Sequence, residues 1–129
     1  MTIMPITVQE ITALETRINA TLAKHNLRFV ATGHFALSRI NDPRNVPPIA
    51  IAEIESMLAR LIAQHMAGVM ALNDQDTFNL RCGNSHINIP CGFNRVTSGN
   101  GAYVYEIAAI TVIRKQGFRS KDPYEFIVV

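Results

Sequence analysis

The stretch AYVYEIAAITVIR, residues 102–114, decides how the chain is read. Successive side chains of a strand point to opposite faces. Tyr103, Tyr105, Ile107, Ala109, Thr111 and Ile113 then share one face, and Val104, Glu106, Ala108, Ile110, Val112 and Arg114 the other. Both rows are apolar in the middle, which predicts a strand flanked by others rather than an edge strand. TFNLRC (77–82) and SHINIPCGF (85–93) upstream and EFIVV (125–129) downstream are strand-like as well, with GN, TSGNG and the GFRSKDP loop between the segments. This half of the chain therefore predicts an antiparallel meander.

The first half has a helical period instead. Thr7 followed by Glu10 is a capping box, and Val8, Ile11, Leu14, Ile18 and Leu22 follow at helical spacing, predicting a helix from about Thr7 to about His25. Ile51, Ile54, Leu58, Leu61 and Ile62, with Glu53 and Glu55 where negative charge suits the helix dipole, predict the longest helix, from about Ile49 to Gly68 or Leu72. Between them Leu27–Val30 is short and apolar. HFALSRI (34–40) reads as a short second helix that Pro43, Pro47 and Pro48 must end, because each proline removes a backbone donor. Helices first and strands after predict an α+β fold: N-terminal helices packed on one face of a C-terminal four-stranded antiparallel sheet, with the other face partly open to hold a site.

At 129 residues the chain is the size of one domain, residues 1–129, and 48% hydrophobic residues supply a core. Its 12 basic and 10 acidic residues leave a net charge of only +2, so attraction to a polyanion must come from where charges cluster. The N-terminal segment carries Glu10 and Glu15 and lacks a basic region followed by an apolar run, so no secretory leader is expected. No apolar stretch reaches membrane-spanning length, and a cytoplasmic protein without a membrane partner is expected. Cys82 and Cys91 are the only cysteines and read as free thiols.

Two clusters could carry chemistry. His34, Arg39, Arg44 and Asn45 fall within a dozen residues stiffened by prolines. Histidine moves a proton near neutral pH and arginine neutralises charge on a phosphate, so the residue types suit metal-independent phosphoryl transfer. Their spacing is less telling, since residues five apart share a helix face only loosely. The ordinary alternative is that His34 hydrogen-bonds a turn while both arginines tie down the loop. Arg114, Lys115, Arg119 and Lys121 place four of the 12 basic residues in eight positions around Phe118, as a nucleic-acid contact or as a solvated hairpin would. Cys82, His86 and Cys91 have zinc-type donors, but a structural site wants four ligands, and strand alternation divides these between faces. Glu106 is expected to pair with an arginine, and His65 and His25 to serve the helices that carry them. No phosphate-binding glycine loop, nucleophile elbow or paired-carboxylate motif occurs.

The order helix, His34-x4-Arg39-x4-Arg44, long helix and meander ending in T-V-I-R-K (111–115) resembles the RNase superfamily that groups barnase, EndoU, colicin nuclease and RelE-like toxin domains, in particular its toxin-like branch. The segments H-F-x3-R, R-N-x-P-P-I and T-V-x-R-K-x-x-F are more closely similar to those of small tailed-bacteriophage proteins, over about residues 34 to 121. The chain departs from the toxin-like branch in its small net charge and in its prolines. The RNase resemblance implies attack of a ribose 2′-OH on the adjacent phosphate with no metal and no cofactor. It implies His34 as general acid or base, Arg39, Arg44 and Arg114 as transition-state cations and Thr111 as a positioning hydroxyl. Lys115, Phe118, Arg119 and Lys121 would then hold RNA. The phage likeness implies instead a noncatalytic module for nucleic acid or a host protein, in the host cytoplasm. A third possibility is self-association through EFIVV as an edge strand.

Overall fold

Thr7 opens the first helix as its capping box predicts: its Oγ1 accepts from the Glu10 N–H at 3.1 Å, and the Glu10 carboxylate accepts from the Thr7 N–H at 3.1 Å. The computed structural model describes residues 5–97 and 99–129, with only the backbone of Leu37; residues 1–4 and Ser98 of the TSGNG segment lie outside the described residues. Helix α1 spans Val8–Leu22 and runs into a 3₁₀ turn, Ala23–His25, that ends at Asn26 in the left-handed conformation. Its Ile11, Leu14, Ile18 and Leu22 are buried, each stabilising the fold by about 1.5–3 kcal/mol relative to exposure. Helix α2 spans Ile51–Met70 and kinks at His65. Ala50 lacks a capping side chain, but its N–H donates to Glu53 Oε1 at 2.9 Å. Arg17 of α1 forms a two-pronged ion pair with Glu55 of α2.

The sheet departs from expectation in strand number and direction. Its strands are β1 (Leu27–Ala31), β2 (Asp76–Cys82), β3 (Ile87–Thr97), β4 (Tyr103–Ala109), β5 (Ile113–Arg114) and β6 (Tyr124–Val128). The order is β1-β4-β3-β2-β6, with β5 also pairing β3. The ladders β2/β3, β3/β4 and β3/β5 are antiparallel, whereas β1/β4 and β2/β6 are parallel. The fold is α+β with a six-stranded mixed sheet, not a four-stranded antiparallel one. The chain returns to each flank by a crossover, which a list of neighbouring strands does not reveal.

The long strand read at 102–114 is indeed internal, but it breaks. Residues 110–112 leave the ladder, and the Ile110 N–H bonds Pro90 O at 2.9 Å before β5 pairs with Ile87 and Asn88. Register places Phe29, Ile107, Phe93, Cys91, Phe78 and Leu80 on one face, where they join the apolar sides of both helices in one buried cluster. Glu106, on the opposite face, pairs with Arg28 at 2.7 Å. The residue 115–123 loop partly covers that face, since Phe118 lines clefts with Arg81, Asn88 and Glu125. Among the described residues no helix is long and apolar enough to cross a membrane.

Helix side chains close both sheet edges. Asn19 of α1 accepts from the Phe29 N–H at 2.6 Å and donates to Phe29 O at 3.1 Å, while Glu15 accepts from the Ala31 N–H at 2.9 Å. At the other edge Gln64 brackets Val129 through both its N–H and its carbonyl, and His65 Nε2 lies 2.6 Å from Ile127 O with its ring against Phe126. EFIVV does form an edge strand, yet these outward groups are taken. Asn19→Ala should destabilise the fold by about 1–3 kcal/mol, because it strands a backbone donor and acceptor; an unchanged urea midpoint would show that water replaces the amide without loss.

Candidate functional site

Thr32 fixes the start of the site. Its N–H donates to Ala109 O at 3.1 Å, its hydroxyl donates to Ile110 O at 3.1 Å, and the same hydroxyl accepts from the Phe35 N–H at 3.3 Å. The segment after β1 is thereby pinned where β4 gives out. The following turn, His34–Arg39, is a π-helix, with the Ile40 N–H reaching Phe35 O at 3.1 Å. Phe35 and Ile40 are buried and anchor it, leaving His34 exposed and Arg39 half-exposed.

The wide turn resolves the spacing. A π-turn closes i to i+5, so residues five apart lie over one another instead of diverging as on an α-helix. Arg39 Nε donates to His34 Nε2 at 2.9 Å. The neutral imidazole therefore carries its proton on Nδ1.

Asp42 gathers the two arginines. Its carboxylate accepts from Arg44 Nη2 at 2.8 Å, Arg44 Nε at 3.1 Å, the Arg44 N–H at 2.9 Å and Arg39 Nη1 at 3.3 Å. The Arg44 hydrogen bonds, through side chain and backbone, hold the Asp42 carboxyl far below the ordinary carboxylate range, and Asp42 raises Arg44 in turn. His34, Arg39, Asp42 and Arg44 thus form one chain of contacts carrying a net charge of about +1 with the imidazole neutral. They line a cleft of about 230 Å³ together with Asn45, Thr111, Val112, Ile113 and Phe118. The Arg44 side chain is 65% exposed and meets solvent at its mouth.

The cleft brings together His34, Arg39, Arg44, Thr111 and Phe118 from three separated segments. It lies where β4 gives out, beside the face that carries Asn88, whose ladder partner Ile113 lines it. Arg114 is not part of it, contrary to the expected convergence. Only 9% of its side chain is exposed. Its guanidinium donates to Pro47 O at 2.8 Å, Ser85 O at 2.8 Å, Pro48 O at 3.4 Å and Glu53 Oε1 at 2.7 Å. Strand alternation turns it away from its neighbour Ile113, which does face the cleft. Asn45 completes the tie, accepting from the Arg114 N–H at 2.8 Å and donating to Arg39 O at 3.0 Å.

Lys115 and Arg119 line neighbouring clefts that share Phe118, and Lys121 is exposed. Asp42 is the site residue that sequence reasoning missed. Its signal was the D-P-R run, in which an aspartate side chain caps its own turn.

Both cysteines are buried and unbridged. Burial opposes ionisation of Cys82, but hydrogen bonds from Ser85, the Asn84 backbone and Arg60, whose Nη2 lies 3.6 Å from Sγ, bring the thiol below its ordinary value. Burial pushes the Cys91 thiol up. Among the described residues no three histidine, cysteine or acidic side chains are grouped to hold a metal ion.

The chain matches no protein-family model, no curated protein and no solved structure.

Two outcomes test this geometry. A carboxylate with a depressed folded-state pKa stabilises the fold above its unfolded value, near pH 4, and that contribution fades as the pH falls toward the folded value. Wild type should therefore exceed Asp42→Asn in urea midpoint by a steady margin from about pH 5 to 8, narrowing below about pH 4; curves parallel to low pH would show an unpaired carboxylate. Arg114→Ala should cost about 1–3 kcal/mol, because Glu53 loses its ion-pair partner and three carbonyls lose their donor. A loss under about 0.5 kcal/mol would mean the tie is not structural.

Proposed function

We propose that this chain is a metal-independent endoribonuclease-like protein whose His34 cleft receives one RNA phosphodiester. The observation that carries the reading is the meeting of His34, Arg39, Arg44 and Thr111 from separate segments in one cleft of about 230 Å³. Arg39 leaves His34 Nε2 to meet the phosphate, and the freed nitrogen accepts the proton of the ribose 2′-OH. The 2′-oxygen attacks phosphorus, the bond to the 5′-oxygen breaks, and that oxygen takes a proton from water. A 2′,3′-cyclic phosphate remains. Arg39 and Arg44 stabilise the charge that gathers on the phosphate oxygens, and the Thr111 hydroxyl orients them. The RNase resemblance of the sequence implies the same roles for His34, Arg39, Arg44 and Thr111, but it also implies Arg114, which does not line the cleft.

One observation favours a second reading, a noncatalytic binding module of phage type for nucleic acid or a host protein. Asp42 already occupies the Arg44 fork, and the cleft offers one imidazole where a base and an acid are both useful. Arginines preset by a carboxylate can bind a phosphate without assisting its cleavage.

Incubating mixed RNA oligonucleotides with wild type and His34→Ala in excess EDTA separates these readings. Cleavage by wild type leaving 2′,3′-cyclic ends, reduced about 100-fold or more in His34→Ala with folding unchanged, is the expected result. Equal cleavage by the variant removes His34 from the chemistry. Salt-sensitive binding without cleavage selects the binding module.

A further inference from the structure

Phe118 is shared by three neighbouring clefts. It lines the His34 cleft on one side and, on the other, a second cleft of about 310 Å³ with Arg81, His86, Lys115 and Gly117. The intervening loop is tightly built. Gly117 adopts φ 75°, a left-handed conformation suited to glycine, and the Phe118 N–H returns to Lys115 O at 3.3 Å. The Lys115 N–H donates to His86 O at 2.9 Å, and Asn88 Nδ2 donates to the same carbonyl at 3.1 Å. The turn bearing His86 and the loop bearing Lys115 and Phe118 are therefore held as one unit. Arg81 is paired with Glu125 at 2.8 Å, whereas among the described residues no carboxylate forms an ion pair with Lys115.

We propose that an RNA strand seated at the His34 cleft continues across Phe118 into this second cleft, where Lys115 and His86 hold the adjoining phosphate and the Phe118 ring supports the intervening base. The inference rests on the RNA reading of the first cleft and extends it to a second subsite. Cation, aromatic and cation in a row match the phosphate, base and phosphate of a single strand. An acidic peptide supplies the charges without the planar group between them. Arg81, already neutralised, positions the wall of the cleft and makes no phosphate contact.

Fluorescein-labelled 2′-O-methyl uridylates, whose blocked 2′-oxygen prevents cleavage, provide the test: a dinucleotide with one phosphodiester and a hexamer, titrated by anisotropy across a salt series. The hexamer should bind at least about tenfold tighter and with a steeper salt dependence. Lys115→Ala should weaken the hexamer about fivefold and reduce its log–log salt slope by about 0.7, the loss of one single-strand phosphate contact, while leaving the dinucleotide unchanged within about twofold. Phe118→Ala should weaken the hexamer about tenfold. Should that variant unfold, the exposed Lys115 substitution decides alone. Identical affinities and slopes for the two wild-type ligands overturn the second subsite and leave the first cleft standing. Binding of neither overturns both. Displacement of the hexamer by poly-L-glutamate as effectively as by unlabelled uridylate assigns the surface to acidic protein and also overturns the proposal.

Discussion

Arg114 is the constraint on which the rest of the structure depends. Its guanidinium and backbone join β5 to the proline loop, to the β2–β3 turn at Ser85 and to the start of α2 at Glu53. A proline-rich loop has few backbone donors with which to fix itself. Here a single five-donor side chain supplies them, donating to the carbonyls of Pro47, Pro48 and Ser85. Because Asn45 bonds both Arg114 and Arg39 O, the same tie sets where the π turn ends and where Arg44 begins.

The cleft is a consequence of two irregularities meeting. One is the π turn, which stacks His34 and Arg39; the other is the interruption of the long strand, which releases Thr111 from the ladder and lets it face that turn. Thr32 connects the two, bonding the Ala109 and Ile110 carbonyls where β4 ends and the Phe35 N–H inside the turn. Irregular backbone at such a point costs ordinary ladder hydrogen bonds, and here a side chain makes them good.

Local signals carried far in this sequence. The Thr7–Glu10 box and the Ile11, Leu14, Ile18, Leu22 series specify α1 almost to the residue, and the apolar spacing of α2 does nearly as well, because both depend on neighbours within a turn. Glu106 amid apolar residues correctly implied a cationic partner. What stayed hidden depends on distant partners. Leu27–Ala31 becomes a strand only because β4 lies beside it, and the parallel seating of EFIVV on β2 is set by the path of the intervening chain. The break at 110–112 follows a run of strand-favouring residues with no glycine or proline to announce it. Of the candidate site, His34, Arg39, Arg44, Thr111 and Phe118 were legible as chemistry and do share the cleft. Arg114 was legible as a cation but not as a structural one, since its partners are mostly backbone carbonyls that sequence does not single out.

The amides that bracket Phe29 and Val129 have a further meaning. Barrels remove the exposed rims of a sheet by joining first strand to last; this open sheet achieves much of the same protection with a few helical side chains. Asn19, Glu15, Gln64 and His65 act as substitutes for the strands that are not there. The ends of the sheet thus offer a passing chain fewer free backbone groups to copy, and encounters with other molecules are directed toward side chains and the rim where the strand breaks.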